Sequence, residues 1–297
     1  MKKMKGSLGD RVFLFIVYAL VFAITLIVLY PLIYVISCSF SNPTAVGGGK
    51  VWLFPVGFTL TGYKRVFQEH TIITGYLNTI FYTITGTMIN LLVTVPCGYS
   101  LSKKTLPGKG FWMTFFMITM YFGGGMIPTF LLVQALHLYN TRAVLLILGA
   151  FSTYNCIICR TFFSGLPQEL EEAAAIDGCS VYRCFLQIVL PTSQALLGVM
   201  VLYFAIGHWN SYFNAMMYIN KDEYKPLQLV LRKLLVEVET STSMMDGAAA
   251  EYAHEQYQLA QLLKYAVIVV SSLPVMILYP FLQKFFAKGV LIGSVKG

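Results

Sequence analysis

Four groups of residues in this chain could do chemistry. They are Cys156-Ile157-Ile158-Cys159, the histidines His70, His137, His208 and His254, the run Gly47-Gly48-Gly49-Lys50, and the cluster Tyr203, His208, Trp209, Asn210, Tyr212 and Asn214. The Cys-x-x-Cys spacing suits a thiol redox couple or half of a metal site. It closes an apolar stretch with no second pair in the chain, so the two thiols read as small residues filling a helix interface. No histidine belongs to an HExxH arrangement. Gly47-Gly48-Gly49-Lys50 is followed by Val51 and lacks the earlier glycine of GxxxxGK[ST], so it is not a phosphate loop. The last cluster suits binding rather than catalysis. Amides and hydroxyls bond the hydroxyls of a polyol, and rings cover its flat apolar faces. On a continuous helix Tyr203, Gly207, Asn210 and Asn214 would share one face, with Trp209 beside it. The competing reading is that these groups bond across helices and hold a bundle together, as do Asn78, Asn90 and Asn155.

The elements that must position these residues are set by composition. Of the 297 residues 57% are apolar and 11% charged, where a soluble domain carries about 25% charged residues. With a mean hydropathy of +0.68 this is an integral membrane protein. The formal charge of +8 comes from 21 basic and 13 acidic residues, scattered beside apolar runs without the stripe that nucleic acid requires. The 6 cysteines lie in or beside apolar segments or in an inner loop, and indicate no disulfide framework.

A helix needs roughly 20 apolar residues to cross a bilayer. Six stretches qualify: Val12 to Phe40, Ile72 to Ser102, Phe111 to Leu136, Ala143 to Cys159, Leu196 to Met217 and Leu262 to Gln283. The first exceeds a signal-peptide core of roughly 7 to 15 residues and ends without a small-x-small site, so it reads as a retained anchor. Pro31, Pro96, Gly123-Gly124-Gly125 with Pro128, and Pro274 read as kinks. The basic turn Lys103-Lys104-Thr105-Leu106-Pro107-Gly108-Lys109 and the basic N-terminus place both termini in the cytoplasm. Three polar segments are then too long to be simple connections: Ser41 to Thr71 and Tyr218 to Gln261 outside, and Arg160 to Ala195 inside.

The inner segment reads LPQELEEAAAIDGCSVYRCFLQIVLP from Leu166 to Pro191. Pro167 suits the first helical position, and Glu169, Glu171 and Glu172 favour the positive helix start. Gly178 can end that helix in the left-handed region, and Ser180 can cap a second one. In the second helix Val181, Cys184, Phe185 and Ile188 would form one apolar face. From residues alone this could be an amphipathic connector.

The pattern Glu172-Ala173-Ala174, Asp177-Gly178, Ile188 and Leu190-Pro191, without gaps, resembles the "EAA" signature of the permease subunits of ABC-type importers. The six-span layout, Trp209-Asn210 and the ending Gly293-Ser294-Val295-Lys296-Gly297 resemble the carbohydrate branch, on the side of the second permease of maltose-type systems. Tyr121-Phe122-Gly123-Gly124-Gly125-Met126-Ile127-Pro128 with Asn140-Thr141 is similar to the subgroup for complex oligosaccharides and polysaccharide fragments.

The resemblance implies an all-α, polytopic fold of six transmembrane helices, the type I ABC importer permease fold. Residues 1–71 would hold the anchor span and first outer segment. Residues 72–281 would be the importer domain, with coupling loop 160–195 and outer loop 218–261, and residues 282–297 a cytoplasmic tail. It implies a second, different permease subunit, two ATPase subunits that bind ATP and Mg in place of any cofactor of this chain, an extracellular solute-binding protein and a carbohydrate substrate. The EAA residues would couple to the ATPase, and Gly293 to Gly297 would reach its dimer interface. An ion-coupled secondary carrier would place ionisable groups at membrane depth, and the six stretches hold no Asp, Glu, Lys or Arg away from their ends. A membrane-embedded enzyme is the remaining alternative.

Overall fold

The computed structural model describes residues 8–243 and 250–293, which are helical with no strand among them. In chain order the helices are α1 (Leu8–Ser39), α2 (Pro43–Gly47), α3 (Thr61–Gln68), α4 (His70–Ser102), α5 (Lys109–Tyr121) and α6 (Met126–Ala135). They continue with α7 (Arg142–Ile147), α8 (Thr153–Ser164), α9 (Glu169–Ile176), α10 (Val181–Cys184), a π-helical turn (Phe185–Val189) and α11 (Leu190–Thr192). The last are α12 (Gln194–Trp209), α13 (Phe213–Tyr218), α14 (Leu227–Ser243) and α15 (Ala250–Gly293).

Three stretches are long and apolar enough to cross a membrane alone: Gly9–Ser39, His70–Ser102 and Ala260–Pro280. Two bent pairs have that length together, α5 with α6 at 109° and Val181–Thr192 with α12 at 83°. The stretch 143–159 is divided between α7 and α8.

Several local expectations need correcting. The glycine run Gly123 to Gly125 breaks the third stretch instead of kinking it: Gly125 at φ 88° and ψ 173° takes a conformation open only to glycine. Between α7 and α8 the carbonyl of Gly149 accepts from Asn90 Nδ2 at 2.5 Å, and Ser152 caps α8 through the Asn155 amide. The fifth stretch stops at Trp209, with Asn210 as its C-cap and Tyr212 out of helical geometry. The segment 218–261, expected outside as a polar loop, is largely helix in its described residues, which include α14 and the start of α15.

The chain forms two units. One comprises residues 1–69 and 233–272. Within it Cys38, Ala45, Val46, Val51 and Leu262 pack together beside Tyr34 and Tyr265. Asn42 caps α2, and Ser41 Oγ ties Val56 N to Ser37 O. Most of α1 is exposed and apolar, as a lipid-facing helix should be.

The other unit comprises residues 70–232 and 273–297, and α4 is its spine. Gly75, Thr79, Tyr82, Gly86, Asn90, Thr94 and Gly98 recur on its buried face at helical spacing. Small residues of this kind let helices approach closely where hydrophobic burial offers no drive between them. The ring of His208 on α12 occupies the place a side chain at Gly86 would take. A Cβ at Gly98 would lie 2.5 Å from the Cβ of Cys159 on α8. Both members of the Cys-x-x-Cys pair are buried at that α4–α8 contact.

Candidate functional site

At one end of α4 the chain turns through α9 and α10. Helix α9 starts at Glu169 with Gln168 as its N-cap, so Pro167 stands ahead of the helix rather than at its first position. Glu169, Glu171 and Glu172 fill the first turn, where carboxylates meet the positive end of the helix dipole. The helix ends in a Schellman closure: Gly178 N donates to Ala175 O and Cys179 N to Ala174 O, with Gly178 at φ 73°. The Arg183 amide donates to Ser180 Oγ at 3.4 Å, capping α10. Beyond it Pro191 offers no amide to the carbonyls one turn back, and the chain widens into the π turn 185–189 before bending into α12.

Ala174, Cys184, Phe185 and Val189 are buried with Tyr99, Phe163, Leu196 and Met200, and Ile188 and Leu190 pack against them. Val181, expected on that apolar face, points out instead, because the turn at Gly178 rotates the start of α10 away from the cluster. The opposite face carries exposed Glu172, Ala173, Asp177, Gly178 and Pro191, with Ile176 at 87% and Tyr182 at 83% exposure. Large apolar side chains this open, bordered by carboxylates, mark a surface built to be covered.

The elbow is fastened by residues from the basic turn after α4. Lys103 Nζ pairs with the carboxylate of Glu171 and lies 4.0 Å from the centre of the Tyr99 ring. That ring packs on Phe185 at 4.7 Å. Lys109 Nζ donates to the carbonyls of Ser102 and Lys103 at 3.1 Å each, closing the C-terminus of α4. The Cys184 side chain is enclosed in this cluster, 5% exposed. Sequence reasoning missed Lys103, Tyr99, Ile176 and Tyr182. Lys103 and Glu171 are 68 residues apart, but the apolar Ile176 and Tyr182 flanking Gly178 were visible as a signal.

On α12, Tyr203, Gly207 and Asn210 do share one exposed face, and a Cβ at Gly207 would meet nothing within 4 Å. Trp209 lies apart from them, 6% exposed and edge-on to Tyr76 at 5.7 Å. Asn214 belongs to α13, beyond the break, so the four-residue face of one continuous helix does not exist. His208 Nε2 donates to Asn90 Oδ1 at 2.7 Å and belongs to the helix interface. Just past α12, the guanidinium of Arg232 on α14 lies 5.1 Å from the ring centre of Tyr212, and its Nη1 is 2.7 Å from Met216 Sδ. Gly293 ends α15, and Ser294, Val295, Lys296 and Gly297 lie outside the described residues.

At the other end of α4 the segment 219–227 is bound through its backbone. Asn78 Nδ2 donates to the carbonyls of Glu223 at 2.7 Å and Lys225 at 3.1 Å, and Tyr82 Oη donates to Tyr224 O at 2.8 Å. Leu227 N donates to Thr79 Oγ1 at 2.8 Å. Asn140, at φ 61°, accepts from the amides of Asn220 and Lys221. Arg142 donates to Asn78 Oδ1 at 3.0 Å and faces the ring of Tyr224.

No protein-family model matches the chain. It is 40% identical to Protein LplC of Bacillus subtilis over 271 residues, covering 91% of this chain and 90% of LplC. It is 37% identical to the polygalacturonan/rhamnogalacturonan transport system permease protein YtcP of the same organism over 288 residues, covering 97% of this chain and 99% of YtcP. A crystal structure of a bacterial ABC transporter involved in the import of the acidic polysaccharide alginate contains a similar chain. The TM-score is 0.85 at 34% identity, over 96% of this chain and all of that one, 100%.

Proposed function

The chain belongs to the permease subunits of ABC-type sugar importers, and from that premise we propose which parts of it couple, which line the route and what it carries. It is a membrane transport subunit and not an enzyme, and such a subunit works with a partner permease, an ATPase and a binding protein. In our reading the partners are a second, different permease chain, two ATPase subunits holding the ATP and Mg, and one extracellular solute-binding protein. Both termini lie in the cytoplasm, on the side of the basic turn 103–109. Residues 72–281 form the importer domain, with loop 160–195 facing the ATPase and segment 218–261 facing the binding protein. The substrates are oligosaccharides cut from polysaccharides, a reading supported by the names of the YtcP and alginate transporters.

The observation that carries this reading is the exposed face of α9 and α10. Glu172, Ala173, Asp177 and Gly178, with Ile176 and Tyr182, form an apolar patch edged by carboxylates. Ala174, Ile188 and Leu190 sit behind it as the packed base, and Pro191 stands exposed after the π turn. ATPase closure pushes on the patch, and the elbow passes the motion to α4 and α12. Tyr203, Gly207 and Asn210 border the sugar's route, and Gly293 to Gly297 reach toward the ATPase dimer.

Gly178→Val tests the coupling role, because a branched side chain at φ 73° costs roughly 1 kcal/mol or more. A Cβ there meets nothing within 4 Å, so the substitution disturbs the turn and not the packing. The variant should insert normally in the membrane but lose uptake and co-purify less ATPase. Normal uptake with normal ATPase recovery overturns the assignment.

A further inference from the structure

We propose that the imported oligosaccharide is acidic and that Arg232, seated on Tyr212, is the group of this chain that receives its carboxylate. This rests on the reading of the chain as a sugar importer permease, and it adds the substrate's charge and the residue that selects it.

Arg232 is exposed, and among the described residues no carboxylate lies within ion-pair reach of it. Among the described residues its partners are the face of the Tyr212 ring at 5.1 Å and the sulfur of Met216 at 2.7 Å. A thioether is a weak acceptor, and an aromatic face occupies the flat side of a guanidinium while leaving the donors at its edge unused. Five N–H groups in a rigid fork, backed by a ring and short of acceptors, are arranged for a planar bidentate anion such as a carboxylate. A neutral sugar could accept single hydrogen bonds from them but would gain no charge pairing.

The position fits a sugar. Tyr212 follows Asn210 by two residues, so it lies at most about 7 Å beyond it, at the end of the exposed strip Tyr203, Gly207 and Asn210. Read along that strip, the chain presents a ring, an open glycine, an amide, then a ring carrying a cation. These are the groups that recognise the apolar face, the hydroxyls and the acid group of a uronate residue. The other basic groups near this end are otherwise engaged. Lys225 pairs with Asp222 at 2.5 Å and Arg142 donates to Asn78, while Lys221, 5.5 Å from the Tyr224 ring, is a point charge without the planar fork that matches a carboxylate.

The test is uptake into proteoliposomes by the complete importer, using galacturonate and mannuronate trisaccharides and their carboxyl-reduced, neutral counterparts. The same binding protein serves every variant, so a change in the acidic-to-neutral uptake ratio between variants reports the membrane step. The wild type should favour an acidic trisaccharide. Arg232→Gln should lower the ratio roughly tenfold by loss of a charge-assisted contact, and Arg232→Lys should recover part of it. ATPase stimulation by the binding protein should persist in both variants. An unchanged ratio in Arg232→Gln overturns the role of Arg232, including the case where the variant merely loosens the partner permease. Import of only the neutral sugars by the wild type overturns the acidic substrate while leaving the permease assignment intact. No uptake of any probe, with no ATPase stimulation in the wild type, counts against the importer reading itself.

Discussion

At the end of α4 near Asn78 the neighbouring segment is held through its backbone. At the end near Tyr99 the neighbouring elbow is held through side chains. Segment 219–227 accepts or donates main-chain hydrogen bonds with Asn78, Thr79, Tyr82 and Asn140. Such bonds contribute about 1 kcal/mol each and leave costly orphans when broken. The elbow is held by one partly exposed ion pair, one cation–π contact and the apolar cluster that runs from Val95 and Tyr99 through Phe185 to Phe204. A pair of that exposure is worth about 0–1 kcal/mol and the ring contact about as much. One end is therefore tied by directional bonds, and the other by non-directional packing through which a docked partner's push reaches α4.

The contrast is sharpest at Asn78. Replacing it with Leu leaves the Glu223 and Lys225 carbonyls without their donor and removes an acceptor from Arg142. We expect a loss of about 2–4 kcal/mol, seen as a lower unfolding temperature in detergent together with faster proteolysis near residue 223. An unchanged melting temperature would break the contrast from the hydrogen-bonded side. A smaller effect is expected at the elbow. Glu171→Lys should reduce uptake roughly fivefold, the equivalent of about 1 kcal/mol, with little change in melting. Exchanging the charges, Lys103→Glu with Glu171→Lys, should restore most of it. If the exchange rescues nothing, the pair does not fasten the elbow. The smallest effect should follow deletion of Gly293 to Gly297, which in our reading trims the stimulated ATPase rate and uptake together by about twofold while assembly persists, because a short terminus adds few contacts. Unequal loss of the two rates would detach the tail from coupling.

Sequence reasoning located the elbow because its punctuation is local. The positive φ of Gly178, the Ser180 cap and the first-turn glutamates each follow from a residue and its near neighbours. The all-helical class and the apolar crossings were legible from hydropathy for the same reason. What joins distant segments was not legible. Nothing near Lys103 indicates Glu171, and nothing near Asn90 indicates Gly149 or His208. The end of α12 was also hidden, since Asn210, Ser211 and Tyr212 are flanked by apolar residues on both sides and include neither proline nor glycine. That break carried Asn214 away from its expected face. Trp209, grouped with the sugar-facing residues for its chemistry, went to the buried side by one step of helix rotation.

The glycine contacts along α4 have a mechanical consequence. With 33 residues the helix is roughly 50 Å long. At Gly98 its backbone lies so close to α8 that no methyl group fits between them, and at Gly86 it meets the ring of His208 directly. Surfaces in such contact have little slack, so a tilt imposed at Tyr99 passes along the helix instead of being absorbed near its origin. Over the roughly 30 Å from Tyr99 to Asn78 a rotation of about 5° displaces Asn78 by about 3 Å. The small-residue stripe thus makes α4 a stiff lever, whose short stroke at the elbow becomes a travel at Asn78 of about one hydrogen-bond length.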